Sequence, residues 1–195
     1  MKRTRVVSLV ALVGLVAAWS SIAVRAQRGP AWTVLFDGKN LDNFNPIGNA
    51  NWKIADGAVQ ADMGTGFLVS KASYADFEIK AEFWVTDDAN SGVFIRCENP
   101  TQVSAMNAYE VNIYDKRPDQ SYRTGAIVDV AKPKDMTIAT GGKWNTIEIT
   151  AKGPRMIVAV NGIAMVDVKD SKHARGPIAL QYGAGTVKFR RVEIR

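Results

Sequence analysis

An all-β sandwich of two antiparallel sheets is the fold this sequence predicts, and three observations predict it. Apolar and polar residues alternate with a period of two in one short run after another. Turn signals, among them Asp56-Gly57 and Asn161-Gly162, separate those runs. From Trp32 onward no long stretch carries the 3.6-residue apolar period of an amphipathic helix. Many short runs with frequent turns suit a sandwich better than a strand–helix alternation.

The chain opens with Lys2, Arg3 and Arg5, runs apolar from Val6 to Trp19, and reaches small residues at Val24-Arg25-Ala26. That three-part layout predicts a secretory signal peptide over 1–26 with cleavage after Ala26. The apolar run is shorter than the ~20 residues a spanning helix needs, so no membrane attachment is expected after cleavage. Residues 27–195 then form one domain, exported to a periplasm or to the outside. Within it Trp52-Lys-Ile54 and Ala58-Val59 flank Asp56-Gly57 as a hairpin. Phe77, Ile79, Ala81, Phe83 and Val85 alternate with Glu78, Lys80, Glu82 and Trp84, a strand with one buried face. Val93 and Ile95 alternate with Phe94 and Arg96, and Val111 and Ile113 with Glu110, Asn112 and Tyr114. Ile147 and Ile149 alternate with Thr146, Glu148 and Thr150. Two β-rich runs, 155–160 and 163–168, meet at Asn161-Gly162, whose residues both tolerate positive φ. The long irregular segments fall at 99–108, 115–124 and 131–143, where a sandwich carries its binding residues.

Composition narrows the function. The 195 residues carry 25 Lys and Arg against 19 Asp and Glu, a net charge of +6. Four of those 25 lie in 1–26 without any acid, which leaves 21 against 19, or +2, for the rest. A basic nucleic-acid surface is therefore not expected. One Cys and one His exclude an internal disulfide and a His-rich metal site. Cys97 lies in the apolar run from Val93 and is expected to be a buried, inert thiol. His173, within Lys172-His173-Ala174-Arg175, is expected to be solvated.

A series of short motifs runs in order along the chain. It starts with Phe36-Asp37-Gly38-Lys39-Asn40-Leu41, Trp52-Lys-Ile-Ala-Asp56-Gly57, Asp76-Phe77-Glu78, Asn90-Ser91-Gly92-Val93 and Arg96. It continues with Tyr109-Glu110-Val-Asn-Ile-Tyr-Asp115, Thr124-Gly125-Ala126, Trp144-Asn145, Asn161-Gly162, Gly176-Pro-Ile-Ala-Leu-Gln181 and Phe189-Arg190. Over roughly 32–195 this series resembles the 3-keto-disaccharide hydrolase domain family. The resemblance implies a concanavalin A-like jelly-roll sandwich and a carbohydrate-active protein acting on glycosides oxidised at the 3-position. Two departures stand out. Many members carry Asp-His-Gly after the Leu-Gln pair, whereas here Tyr182-Gly183-Ala184-Gly185 follows Gln181. Phe44 stands where the family usually has Trp.

A 3-keto group acidifies the hydrogen on C2, which puts the glycosidic oxygen β to a carbonyl. Cleavage by elimination needs a base, a cation at the enolate oxygen and an acid for the leaving group. If the strand stays regular from Phe94 to Arg96 and both strands lie on the concave sheet, alternation places Glu110 and Arg96 on one groove, as base and enolate stabiliser, with Asp115 or Tyr114 as acid. Asn112, Tyr114, Trp84, Arg123 and Gln181 are the candidate substrate-binding residues. A saccharide is the expected partner. A divalent ion held by carboxylate and amide oxygens could replace Arg96 without a His ligand. Glu110 and Asp115 could alternatively act as an ordinary glycosidase pair. The absent Asp-His leaves a second reading, a carbohydrate-binding module without catalysis.

Overall fold

The computed structural model describes residues 31–195, so the predicted signal peptide lies outside the described residues. Thirteen strands succeed one another in the described chain. They are β1 (Thr33–Phe36), β2 (Phe44–Gly48), β3 (Lys53–Ala55), β4 (Ala58–Ala61), β5 (Gly66–Tyr74), β6 (Phe77–Val85) and β7 (Ser91–Ile95). Then come β8 (Tyr109–Ile113), β9 (Trp144–Lys152), β10 (Arg155–Val160), β11 (Ile163–Lys169), β12 (Gly176–Tyr182) and β13 (Val187–Ile194). A single 3-10 turn, Gln120–Tyr122, is the one helical element among the described residues.

The strands form two antiparallel sheets. The larger has eight strands in the order β11-β10-β9-β6-β13-β4-β3, with β1 also on β13, and the smaller runs β2-β5-β12-β7-β8. Both predicted hairpins form. Asn161 and Gly162 take φ of 53° and 78°, and Asp56 and Gly57 take 53° and 71°, the left-handed pair that a type I′ turn requires.

β6 alternates as predicted, with Phe77, Ile79, Ala81, Phe83 and Val85 buried and the residues between them half-exposed. Its buried face joins Ile147, Ile149, Met156, Val158 and Phe189 of the larger sheet. Across the sandwich these meet Leu68, Val93, Ile95, Val111, Ile113, Ile178 and Leu180 of the smaller sheet. Emptying one such position, as in Phe83→Ala, costs about 3–5 kcal/mol. In β13 the register shifts between Phe189 and Val192, and both Arg190 and Arg191 consequently reach solvent.

The smaller sheet departs from simple alternation. Every residue of β7 and of β8 is buried, on both faces. The reason is a second apolar layer on its outer side, where Val69, Phe94, Cys97, Val103, Ala108 and Ala179 pack together. The segment 97–108 lies over that face, and 124–128 extends the sheet beyond β8 through Asn112–Ala126 and Glu110–Val128 backbone bonds. Cys97 is 1% exposed and burial pushes its thiol up to about 12, in keeping with the inert thiol expected.

Candidate active site

Strand register arranges the outer face of the smaller sheet in rows. One row crosses it as Glu110 on β8, Phe94 on β7, Ala179 on β12, Val69 on β5 and Asn45 on β2. The next pairs Asn112 with Gly92, and Gln181 with Phe67 and Ile47. Gln181 Oε1 lies 3.4 Å from where a Cβ on Gly92 would stand, so the second row is continuous too. The segment 97–108 divides this face into two depressions. One, of about 430 Å³, is edged by Asn45, Lys71, Glu98 and Arg175. The other, of about 440 Å³, is edged by Asn90, Gln181, Phe67 and Tyr182.

Glu110 is 8% exposed, and no hydrogen bond to its carboxylate occurs among the described residues. Burial pushes its carboxyl up, the charge of Arg117 pulls it down, and that of Asp129 pushes it up again. Those two residues act on Tyr122 as well. A hydrogen bond to Asp129 raises its phenol, and the Arg117 guanidinium lies 5.4 Å over its ring. Glu110, Arg117, Tyr122 and Asp129 therefore form one electrostatic cluster at the β8 edge. Asp129 has a φ of 60°, in a tight turn where the Val130 and Ala131 amides both donate to the Ile127 carbonyl. A left-handed Asp beside a desolvated carboxylate is the kind of local strain that functional sites hold.

The loop carrying Arg117 and Tyr122 is fixed to the sheet at several points. Asn112, fully buried, donates from Nδ2 to the Tyr122 carbonyl. Asp119 accepts from the Ser121 amide and hydroxyl at 2.9 and 2.7 Å, which starts the 3-10 turn. Thr124 accepts from the Tyr114 amide at 2.9 Å and donates to Asp115.

The sequence placed Glu110 and Asn112 on this face correctly, and Gln181 joins them there. Tyr114 follows β8 directly, half-buried at the start of the same loop. Four other assignments are corrected. Arg96 is not beside Glu110: strand β7 ends at Ile95, and Arg96 takes a φ of 55° that turns its side chain off the outer face. Its guanidinium is 1% exposed and donates to the carbonyls of Ala75 (2.9 and 2.7 Å) and His173 (3.2 Å), a structural tie. The Asp115 carboxylate is occupied by the Thr124 hydroxyl and by the Thr140 amide (2.6 Å) and hydroxyl (3.0 Å), and it secures loops instead of standing free beside Glu110. Arg123 donates to the Met136 and Ile138 carbonyls and holds the 131–143 segment. Trp84 belongs to β6 of the larger sheet, on the opposite side of the molecule, with Lys188 4.9 Å over its ring.

His173 is a further correction. It is 2% exposed rather than solvated, its amide donates to the Tyr109 hydroxyl at 3.0 Å, and its ring packs 4.9 Å from that of Tyr109. Arg117, Tyr122 and Asp129 went unrecognised because nothing local marks them. They lie in irregular segments, and the signal joining them is pairing of 124–128 with β8, which the sequence pattern does not display. Among the described residues no group of three or more His, Cys, Asp or Glu could hold a metal ion.

Two antiparallel sheets, with a polar cluster on the outer face of the smaller, make a jelly-roll sandwich of the concanavalin-like and galectin-like class. Within that class, the chain belongs to the 3-keto-alpha-glucoside-1,2-lyase-like domain family, which it matches over residues 31–195. No curated protein matches it in sequence. Among solved structures, a candidate glycosyl hydrolase from Parabacteroides distasonis superposes with a TM-score of 0.76 at 17% identity, covering 84% of this chain and 93% of that one. A second from the same organism has a TM-score of 0.67 at 25% identity, covering 84% and 83%. A carbohydrate binding module from Bacillus subtilis has a TM-score of 0.59 at 19% identity, covering 83% and 92%.

Proposed function

We propose that this protein is an exported enzyme that cleaves the glycosidic bond of 3-keto-glycosides by elimination, with Glu110 as the base. The observation that carries this reading is Glu110 itself: a largely buried carboxylate, raised by burial, hydrogen-bonded to no protein donor and within the field of Arg117. Such a group binds a proton more readily than an ordinary surface carboxylate, which suits abstraction of an acidified C–H. Family membership and the carbohydrate-related neighbours support the substrate class.

In the proposed reaction Glu110 takes the proton from C2, and the C–H electron pair forms a C2=C3 enolate. Arg117, in place of the Arg96 expected from the sequence, faces the developing charge on the C3 oxygen. Collapse of the enolate restores C3=O, forms C1=C2 and breaks the bond from C1 to the glycosidic oxygen. That oxygen takes a proton from the Tyr122 phenol or from water. Water adding across C1=C2, hydroxyl to C1 and hydrogen to C2, completes a net hydrolysis.

The residues after Gln181 favour a second reading, carbohydrate binding without turnover, because Tyr182 and Gly183 stand where Asp-His is common in the family. The test is incubation of the purified protein with a 3-keto-disaccharide and with its unoxidised parent. Release of free sugar from the first alone, lost in Glu110→Gln, is the expected result. Saturable binding of the 3-keto-disaccharide with no release would overturn the catalytic reading in favour of the binding one.

A further inference from the structure

The outer face of the smaller sheet carries an unusual set of atoms, two of them in the second depression and one on the β8 side of it. Asn112 Oδ1, Gln181 Oε1 and Asn90 Oδ1 are all buried, and none has a hydrogen-bond donor. Buried polar atoms without partners are few in folded proteins, and three on adjacent strands of one face call for a ligand explanation. The orientation of Asn112 is fixed, because its Nδ2 is already donated to the Tyr122 carbonyl. Its Oδ1 therefore remains the free end of a side chain with no exposed surface. Gly92 separates Asn112 from Gln181 in the row, and the place a side chain there would take is filled by Gln181 Oε1 and the Phe94 ring, 3.4 and 3.5 Å from where its Cβ would stand. Asn90 and Gln181 both edge the depression of about 440 Å³, whose apolar floor is Phe67 and Ile47.

All three free atoms are acceptors. A ketone can accept from the amide NH2 groups of Asn90 and Gln181, but it brings no hydrogen and leaves these oxygens unsatisfied. A sugar hydroxyl brings a donor. Resting on the 3-keto-glycoside reading above, we infer that the Asn90–Gln181 depression is the subsite for the unoxidised, hydroxyl-bearing ring of the substrate. Its hydroxyls donate to Asn90 and Gln181, while its C–H face lies on Phe67 and Ile47. The oxidised ring is then held at the other end of the row pattern, where Glu110 and Arg117 stand. The protein discriminates between substrates by their leaving group, and it prefers a polyhydroxylated one to a simple alkyl group.

The experiment compares kcat/KM for a 3-keto-disaccharide and for methyl 3-keto-glucoside, in the wild-type protein and in Gln181→Met. The wild type is expected to favour the disaccharide, and Gln181→Met to lower the ratio of the two about tenfold, mainly through KM, for loss of one acceptor. A ratio that does not move overturns the proposal. Should the wild type turn over neither substrate, the catalytic reading falls and the subsite is judged separately. Free glucose titrated into the wild-type protein is then expected to shift the side-chain amide resonances of Asn90 and Gln181. Shifts without turnover sustain the subsite and remove only the catalysis, whereas no shifts at millimolar glucose overturn the subsite. The wild-type titration also decides the matter if Gln181→Met fails to fold.

Discussion

The two outer faces of the sandwich are built from the same kind of strand and finished in opposite ways. On the larger sheet most charges meet a counter-charge. Glu78 pairs with Arg195, Lys80 with Glu148 and Glu82 with Arg190. The rings of Trp84 and Trp144 are covered by Lys188 and Arg190 at 4.9 and 4.1 Å. On the smaller sheet Glu110 has no donor, Asn112 and Gln181 keep free buried oxygens, and Arg96 and Asp129 hold left-handed backbone. The first face satisfies itself. The second leaves its polar atoms for something else to satisfy, and a site that binds or reacts departs from the rules of stable packing in that way.

Mutations can sharpen the contrast, beginning with the largest effect. Glu110→Gln should lower turnover by about 10²–10⁴ and at the same time raise Tm by a few degrees at neutral pH. The sign follows from linkage. The folded state holds the Glu110 proton above the ordinary value of 4.5, so stability is lost as pH rises from there through the raised folded value. The stabilisation of Glu110→Gln should accordingly vanish in melts below that window, and a variant less stable at neutral pH would break the comparison. Arg117→Met should lower kcat about 10²-fold. Because Arg117 pulls the Glu110 carboxyl down, its loss should also move the acidic limb of the kcat/KM profile to higher pH.

Asp115→Ala tests the other carboxylate and should behave oppositely to Glu110→Gln. It removes the acceptor for Thr124 and Thr140, costs about 1–3 kcal/mol of stability, and speeds amide exchange at Thr140. A catalytic loss as large as that of Glu110→Gln, with Tm unchanged, would restore Asp115 as a reacting group. The smallest effect is expected on the satisfied face. Arg190→Ala breaks an exposed pair with Glu82 and should cost under about 1 kcal/mol, with turnover unchanged.

The sandwich was legible because its signals are local. Asn161-Gly162 states its own turn, and the alternation from Phe77 to Val85 states which face of β6 is buried. Glu110 and Asn112 were legible for the same reason, since both project opposite to Val111 and Ile113. What failed was extrapolation past a strand end. Arg96 continues the pattern on paper, but one left-handed residue removes it from the face. Trp84 failed differently, because alternation tells inside from outside and never which of two sheets a strand joins. Asp115, Arg123 and His173 owe their roles to loops that cross from distant parts of the chain, and long-range pairing of that kind leaves no period to read.

The single thiol of the chain is tied to this unfinished face. Cys97 begins the segment that lies between the two depressions, and its sulfur is sealed beneath that segment with a pKa of about 12. Buried there, it is out of reach of a reagent, so alkylation requires an excursion that uncovers this outer layer. The rate of labelling is a clock for that excursion. If the segment must lift for a sugar to enter, the clock should slow as saccharide fills the groove, giving a readout of occupancy that needs no turnover at all.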